Sequence, residues 1–288
     1  MSKVSYSFDW IRATMSIQNN VKLTAEPIKA WFEGAEWWEA DKCPSPYKDG
    51  FRSKYAGIYW HPEYAEFGVM VECTGTDLAQ MREDAFVPDG FIEWIEANGG
   101  RFTRVDFAID LIDTGARPSD IYKAWMKRKV QTPARKITLL QNRGANGAID
   151  GETVYIGSRQ SEKLLRIYDK AKERGEKGDW IRVELELKQG HARAFVVSMQ
   201  RNGAIRTALS YLRSMIRYST VEWMEDLFKS KYKVFPVAQL GRKETNFERW
   251  FWKMIFPAIE RAARENLPGA RASLENVVAN WDNLQHGP

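Results

Sequence analysis

The sequence predicts an α+β fold. Apolar and polar residues alternate with period two in a series of separate stretches as far as Lys188, as strands with one buried face do. Helix-like stretches lie between them, and from Ala192 onward helical spacing takes over. With 288 residues, 44% of them hydrophobic and 28% charged, the chain is long enough to bury a substantial core. The expected organisation is one α+β domain over residues 1–218 and a helical, basic, tryptophan-rich region over residues 219–288.

The elements follow in order. "YSFDWIRATMSI" (Tyr6–Ile17) reads as an opening strand, and "YAGIYW" (Tyr55–Trp60) and "FGVMVECTG" (Phe67–Gly75) as a following pair. "TDLAQMRED" (Thr76–Asp84) is a helix capped by Thr76 or Asp77, and "FIEWIEANGG" (Phe91–Gly100) a second helix stopped by glycine. The strand "RFTRVDFAIDLID" (Arg101–Asp113) precedes a helix, "RPSDIYKAWMKRK" (Arg117–Lys129), that starts at a proline and ends basic. "QNRGANGAIDGE" (Gln141–Glu152) is a loop or hairpin turn. "TVYIGS" (Thr153–Ser158) and "LLRIYDK" (Leu164–Lys170) form an antiparallel hairpin across "RQSEK", and "DWIRVELELK" (Asp179–Lys188) is one more strand. Helices over "ARAFVVSMQRNG", "AIRTALSYLRSMIRY", "TVEWMEDLFKS", "FERWFWKMIFPAIERAARE" and "ASLENVVANWDN" complete the chain.

Several function classes are excluded. No apolar run reaches the length that spans a bilayer. "MSKVSYSFDW" lacks the apolar core of a signal peptide, so a cytoplasmic protein without a membrane partner is expected. Cys43 and Cys73 make neither a disulfide framework nor a zinc site. "NRGANG" lacks the Lys-Ser/Thr ending of a nucleotide-binding loop. The 43 Lys and Arg exceed the 38 Asp and Glu by a net +5. The basic residues gather at "WMKRKVQTPARK" (Trp125–Lys136) and "FKSKYKVFPVAQLGRK" (Phe228–Lys243), interleaved with aromatic residues. Such runs suit nucleic acid, because phosphates need cations and bases stack on rings; solvated helix ends and loops are the alternative.

Three strands carry one polar face each. Arg104, Asp106, Ala108 and Asp110 share a face in "RVDFAID", Arg166, Tyr168 and Lys170 in "LLRIYDK", and Arg182, Glu184 and Glu186 in "IRVELEL". Val105, Phe107, Ile109, Val183, Leu185 and Leu187 back them with apolar faces for a helix layer. Solvated sheet faces also alternate. Four carboxylates in two short strands nevertheless repel if the strands are neighbours, unless arginines or a metal offset them. Hard oxygen donors at that density suit Mg²⁺ or Mn²⁺. A tyrosine hydroxyl, with a pKa of roughly 10, is a poor nucleophile at neutral pH. Flanking cations at Arg166 and Lys170 favour its phenolate and bind non-bridging phosphate oxygens. A cation held by Asp106, Asp110 and Glu184 polarises a scissile phosphate. Attack by Tyr168 then yields a covalent phosphotyrosine and a free 3′ hydroxyl.

At these residues the chain resembles the Rep_trans family of rolling-circle replication initiators, found in small plasmids and filamentous phages, with relatives among the relaxases of integrative conjugative elements. "FTRVDFAIDL", "GETVYIGSRQSEKLLRIYDKAKE" and "WIRVELELK" carry the resemblance in that order, with "YSFDWIRATM" as a weaker match. The resemblance implies a central antiparallel sheet backed by helices, related to the His-hydrophobic-His endonucleases. It implies Tyr168 as the nicking tyrosine, Asp106, Asp110 and Glu184 in the metal site, and Arg166 and Lys170 on the phosphate. The sister class holds its metal with a histidine pair; here His61, His191 and His286 form none, and Glu184–Glu186 is the candidate replacement. Glu186 has a rival role as partner of Arg104 or Arg182. The DNA partner implied is an origin hairpin or single strand with flanking duplex, contacted by Arg104, Arg159, Lys163 and Arg182. A host helicase and a second copy of the chain are further candidate partners. A relaxase with the same chemistry and a non-catalytic origin-binding regulator are the alternative functions.

Other residues read less functionally. Tyr155 is the rival nucleophile, but it lacks close flanking cations and reads as a packing residue. Tyr122 sits on a helix as core or surface, and Asp169 points away from Tyr168 as a capping residue. "GSRQSEK" (Gly157–Lys163) is either a phosphate-gripping turn or a solvated hairpin loop. "ERWFWKMIF" (Glu248–Phe256) reads as core, and His61 and His191 as incidental. "EGAEWWEADKCPSPYKDGFRSK" (Glu33–Lys54) reads as a peripheral elaboration.

Overall fold

In the computed structural model, residues 3–17, 20–229, 232–235 and 237 are described, the side chains of Lys22 and Leu23 excepted. They belong to one compact unit, Met1–Ala238. The expected helices beyond residue 246, the Trp-rich segment among them, lie outside the described residues.

The chain runs β1 (Lys3–Met15), α1 (Val21–Trp31), β2 (Trp38–Glu39), β3 (Asp49–Arg52), β4 (Gly57–Trp60), β5 (Val69–Cys73), α2 (Gly75–Glu83) and α3 (Pro88–Ala97). It continues with β6 (Arg101–Ile112), α4 (Pro118–Met126), β7 (Val130–Gln131), β8 (Ile137–Arg143), β9 (Ile149–Ile156), β10 (Lys163–Asp169) and α5 (Lys170–Glu173). The last described elements are β11 (Trp180–Lys188), α6 (Gln189–Asn202), α7 (Ala204–Met215), β12 (Tyr218–Ser219) and α8 (Glu222–Phe228). Ten strands form one sheet in the order β2-β3-β4-β5-β1-β6-β11-β10-β9-β8, every pairing antiparallel. This is the antiparallel α+β architecture expected from the sequence. β7 and β12 pair separately.

The central strands lie where the site needs them. β11 runs between β6 and β10, with Glu186 opposite Asp106, Arg182 opposite Asp110, and Glu184 opposite both Ala108 and Arg166. The three polar faces therefore make one continuous surface. Behind it, α6 packs on β6 and β11. The rings of Phe8 and Phe107 lie 5.2 Å apart and those of Phe107 and Phe195 5.8 Å, which seals the apolar face.

Some boundaries differ from expectation. α2 begins earlier than expected and is capped at Thr74, because Asp77 in its first turn accepts hydrogen bonds from the Thr74 backbone N–H (2.7 Å) and hydroxyl (2.8 Å). Asp77 is buried and also binds Arg52 at 2.6 Å. Asp77→Ala is expected to cost about 1–3 kcal/mol by leaving these donors without an acceptor, readable as a lowered urea midpoint. The expected loop Gln141–Glu152 is largely strand: β8 and β9 pair across a turn at 144–148. α1 has Pro27 in its interior, a residue that counts against a helix in a sequence reading. The Glu33–Lys54 segment contributes β2 and β3, the edge of the sheet away from β8.

Candidate active site

Tyr168 is buried, 4% exposed, and its hydroxyl donates to Glu184 Oε2 at 2.9 Å. Arg166 Nη1 donates to the other Glu184 oxygen at 2.8 Å. The Arg166 guanidinium also lies over the Tyr168 ring, 4.8 Å from its centroid. Lys170 does not continue the strand. β10 ends at Asp169, whose carboxylate caps α5 by accepting from Lys172 N (2.9 Å), and Lys170 opens that helix. Its Nζ stands 5.6 Å from the Tyr168 ring centroid and pairs with Glu173. Both cations lie against the Tyr168 ring, and the hydroxyl itself is hydrogen-bonded to Glu184. Burial, and then the Glu184 charge, push the Tyr168 hydroxyl well above the ordinary tyrosine value. The phenolate expected from flanking cations is replaced by a neutral hydroxyl aimed at a carboxylate.

The expected metal residues divide. Arg104 grips Asp106 through Nε and Nη2 (3.0 and 2.6 Å) and reaches Glu186 at 3.1 Å. Lys188 also pairs with Glu186. Burial outweighs the Arg104 pairing and holds the Asp106 carboxyl up at about 7; Glu184 is likewise raised by burial. Asp110 is committed elsewhere: Arg182 binds both its oxygens (2.7 and 2.9 Å) and Trp180 Nε1 donates at 2.7 Å. Among the described residues no three carboxylate, histidine or cysteine side chains converge as a ligand set, because the arginines draw the carboxylates to themselves. In donor chemistry Asp106, Glu184 and Glu186 fit Mg²⁺ or Mn²⁺, being hard oxygens on neighbouring positions of paired strands. Asp110 is set apart by its place opposite Arg182; Asp106, also held through both oxygens by its arginine, is the one on which the Glu184 and Glu186 charges bear.

A cavity of about 460 Å³ opens over Tyr168, lined by Arg104, Asp106, Arg166, Lys170, Arg182 and Glu184. Asp9, Trp10, the start of α2, Arg82, Glu173 and Arg174 also line it. A register shift in β1 makes Asp9 an extra residue opposite β6, a bulge that turns its carboxylate onto Arg182 Nη1 at 2.6 Å. The Trp10 Nε1 and Arg166 Nε donors are buried and have no partner among the described residues. Arg104 stacks on Trp10, 4.3 Å from the ring centroid. An arginine-rimmed cavity suits an anionic oxygen.

The two hairpin-turn cations separate. Arg159 Nη2 donates to the Tyr155 hydroxyl at 2.6 Å and lies over that ring. Tyr155 stands opposite Arg166, on the polar face. The rival tyrosine therefore has a cation and is not a core residue, because the turn folds Arg159 back over it. Lys163 shares the face of Leu165 and Ile167, the helix side of the sheet, away from Tyr168.

The profile of the Rep_trans family, described as replication initiation factor, matches residues 100–246, just over half of the chain. The chain belongs to that family. The putative DNA relaxase NicK of Bacillus subtilis (strain 168) is 25% identical over 225 residues, 68% of this chain and 60% of that protein. The chain thus spans about three-fifths of the length of that relative. A rolling circle replication initiator protein from Geobacillus stearothermophilus has the same fold, with a TM-score of 0.66 over 82% of this chain and 93% of that one, at 20% identity.

For this Rep_trans chain, sequence reading missed Asp9, Trp10 and Arg82. "SFDW" lies in the opening strand already matched to the family, but alternation predicts nothing about a bulge. Arg82 reaches the cavity from α2, its Nη1 donating to the Phe8 carbonyl at 3.2 Å; no sequence signal links it to β1.

Proposed function

We propose that the chain nicks one strand of DNA and rejoins it, with Tyr168 as the nucleophile, in the initiation of rolling-circle replication. The observation that carries this reading is a buried tyrosine hydroxyl hydrogen-bonded to Glu184 beneath a cavity rimmed by arginines. In the reaction the Tyr168 oxygen attacks the phosphorus, its proton passes to Glu184, and the bond from phosphorus to the 3′ oxygen breaks, the departing 3′ oxygen taking a proton from water. The products are a 5′-phosphotyrosine and a strand ending in a 3′ hydroxyl. Arg104 and Arg166, which line the cavity, supply donors for the non-bridging oxygens. As the phosphate enters, Arg104 and Arg166 exchange part of their carboxylate contacts for it. Asp106, Glu184 and Glu186 would hold a Mg²⁺ or Mn²⁺, which when bound polarises the phosphate. Residues 1–218 carry this chemistry in the proposal, with residues 219–288 left to DNA recognition or oligomerisation.

The test uses labelled single-stranded oligonucleotides tiling the replicon that encodes the chain, incubated with Mn²⁺ or EDTA and run on a denaturing gel. A covalent protein–DNA band that needs the metal is expected; its absence from every oligonucleotide, alongside tight duplex binding, selects the non-catalytic regulator. A relaxase of a conjugative element would use the same chemistry, a reading supported by the likeness to a putative DNA relaxase. Transfer genes beside the coding sequence would select it.

Glu184 gives a second expected result. Glu184→Gln should slow single-turnover nicking by about 10²–10⁴-fold. Because burial raises the Glu184 carboxyl, wild-type nicking should gain rate with rising pH through a value above the ordinary carboxylate range. That limb should vanish in Glu184→Gln, and a pH–rate profile of both proteins reads it.

A further inference from the structure

The cavity over Tyr168 has a wall on each side of the central strands. β10 and α5 form one, through Tyr168, Lys170 and Arg174. α2, which packs on β1 and β5, forms the other, with β6 and β11 lying between. Thr76, Ala79 and Arg82 recur at intervals of three and so share the α2 face that lines the cavity. Leu78 and Met81 are buried in the core and fix that orientation.

Six cations line this cavity, and all but Arg82 hold a carboxylate. Arg82 makes no ion pair among the described residues; its Nη1 donates to the Phe8 carbonyl, which leaves Nε and Nη2 uncommitted there. The carboxylates whose charge reaches it are Asp9, Asp110 and Glu83. Arg182 already holds Asp9 and Asp110. Glu83, next to Arg82 in the chain, forms no ion pair with it. Arg82 is exposed, so in the free protein water satisfies its charge. It also lies outside residues 100–246, which match the family profile.

We infer that Arg82 binds a backbone phosphate of the DNA strand entering the cavity, which is thereby held between α2 and α5. This rests on the DNA-nicking role proposed for Tyr168. A paired arginine that turns to a phosphate exchanges one charge-assisted bond for another. Arg82 gives up only water, so its contact adds to affinity without stranding a carboxylate. Nε and Nη2 lie on one edge of the guanidinium and match two non-bridging oxygens. Nη1, held by the Phe8 carbonyl beside the β1 bulge, steadies the side chain and lowers the entropy cost of ordering it. The rival role, a tie between α2 and β1, needs only that Nη1 bond and no free edge.

Binding is measured by fluorescence anisotropy on the full chain carrying Tyr168→Phe, so that no nicking intervenes. The probe is the tightest-binding single strand of the tiling set. Adding Arg82→Gln should weaken binding about tenfold at low salt. It should also flatten the slope of log K against log salt by about 0.7, the loss of one phosphate contact on a single strand. Arg82→Lys keeps the charge and should restore that slope. The same strand is then made with one neutral methylphosphonate linkage, moved along it position by position. At one position the neutral linkage should weaken the Arg82 protein about tenfold and leave Arg82→Gln unaffected. A tie between α2 and β1 predicts instead that Arg82→Gln weakens every one of these strands equally. That uniform loss, an unchanged salt slope, or no affinity for any strand of the set overturns the inference. The assay reads binding alone, so a failure of Tyr168 to form an adduct leaves it readable.

Discussion

Tyr168→Phe is expected to abolish the covalent DNA adduct, lowering single-turnover nicking by about 10⁴-fold or more, as loss of a nucleophile does. The ring is buried between Arg166 and the strand neighbours, and phenylalanine preserves that packing. What is lost is one hydrogen bond to Glu184, worth about 0.5–1.5 kcal/mol. Arg166 still pairs with the carboxylate, so the fold should survive with its circular dichroism spectrum unchanged. Adduct formation is read on the denaturing gel beside the wild type. An adduct that persists in Tyr168→Phe would move the nucleophile to Tyr155, which shares the face and has Arg159 on its hydroxyl. Loss of the adduct together with unchanged DNA affinity separates chemistry from binding.

The largest stability effect should come from Arg182. Its side chain, 7% exposed, makes two bonds to Asp110 and one to Asp9. Arg182→Met leaves Asp110 buried with Trp180 as its remaining donor, and removing one partner of a buried pair costs about 3–5 kcal/mol. Asp9 is more exposed and adds less. Arg182→Lys should recover only part of the loss, because one ammonium cannot replace a fork that binds both Asp110 oxygens. Replacing Arg182 and Asp110 together by apolar residues should cost less than Arg182→Met alone, since no buried charge is then stranded. Urea unfolding of the three variants checks the order. An Arg182→Met protein as stable as wild type would show that water, rather than arginine, satisfies Asp110.

The sequence by itself determined which side chains share a face. Alternation is a property of consecutive Cβ directions in an extended chain, so Arg104–Asp106–Asp110, Arg166–Tyr168 and Arg182–Glu184–Glu186 were legible without any partner strand. It failed locally where the regular period stopped: at Lys170, where a helix begins, and at Asp9, where a bulge adds a residue. Only the tertiary structure decided that β11 runs between β6 and β10, because strand order depends on burial and closure over tens of residues. That order brings Glu184, Glu186 and Asp110 beside arginines of neighbouring strands, while Asp106 pairs with Arg104 of its own strand. The same cations and carboxylates permit a metal cluster, a phosphate pocket or a solvated face; register and depth of burial select among them, because an ionic contact depends on distance and desolvation rather than on sequence order.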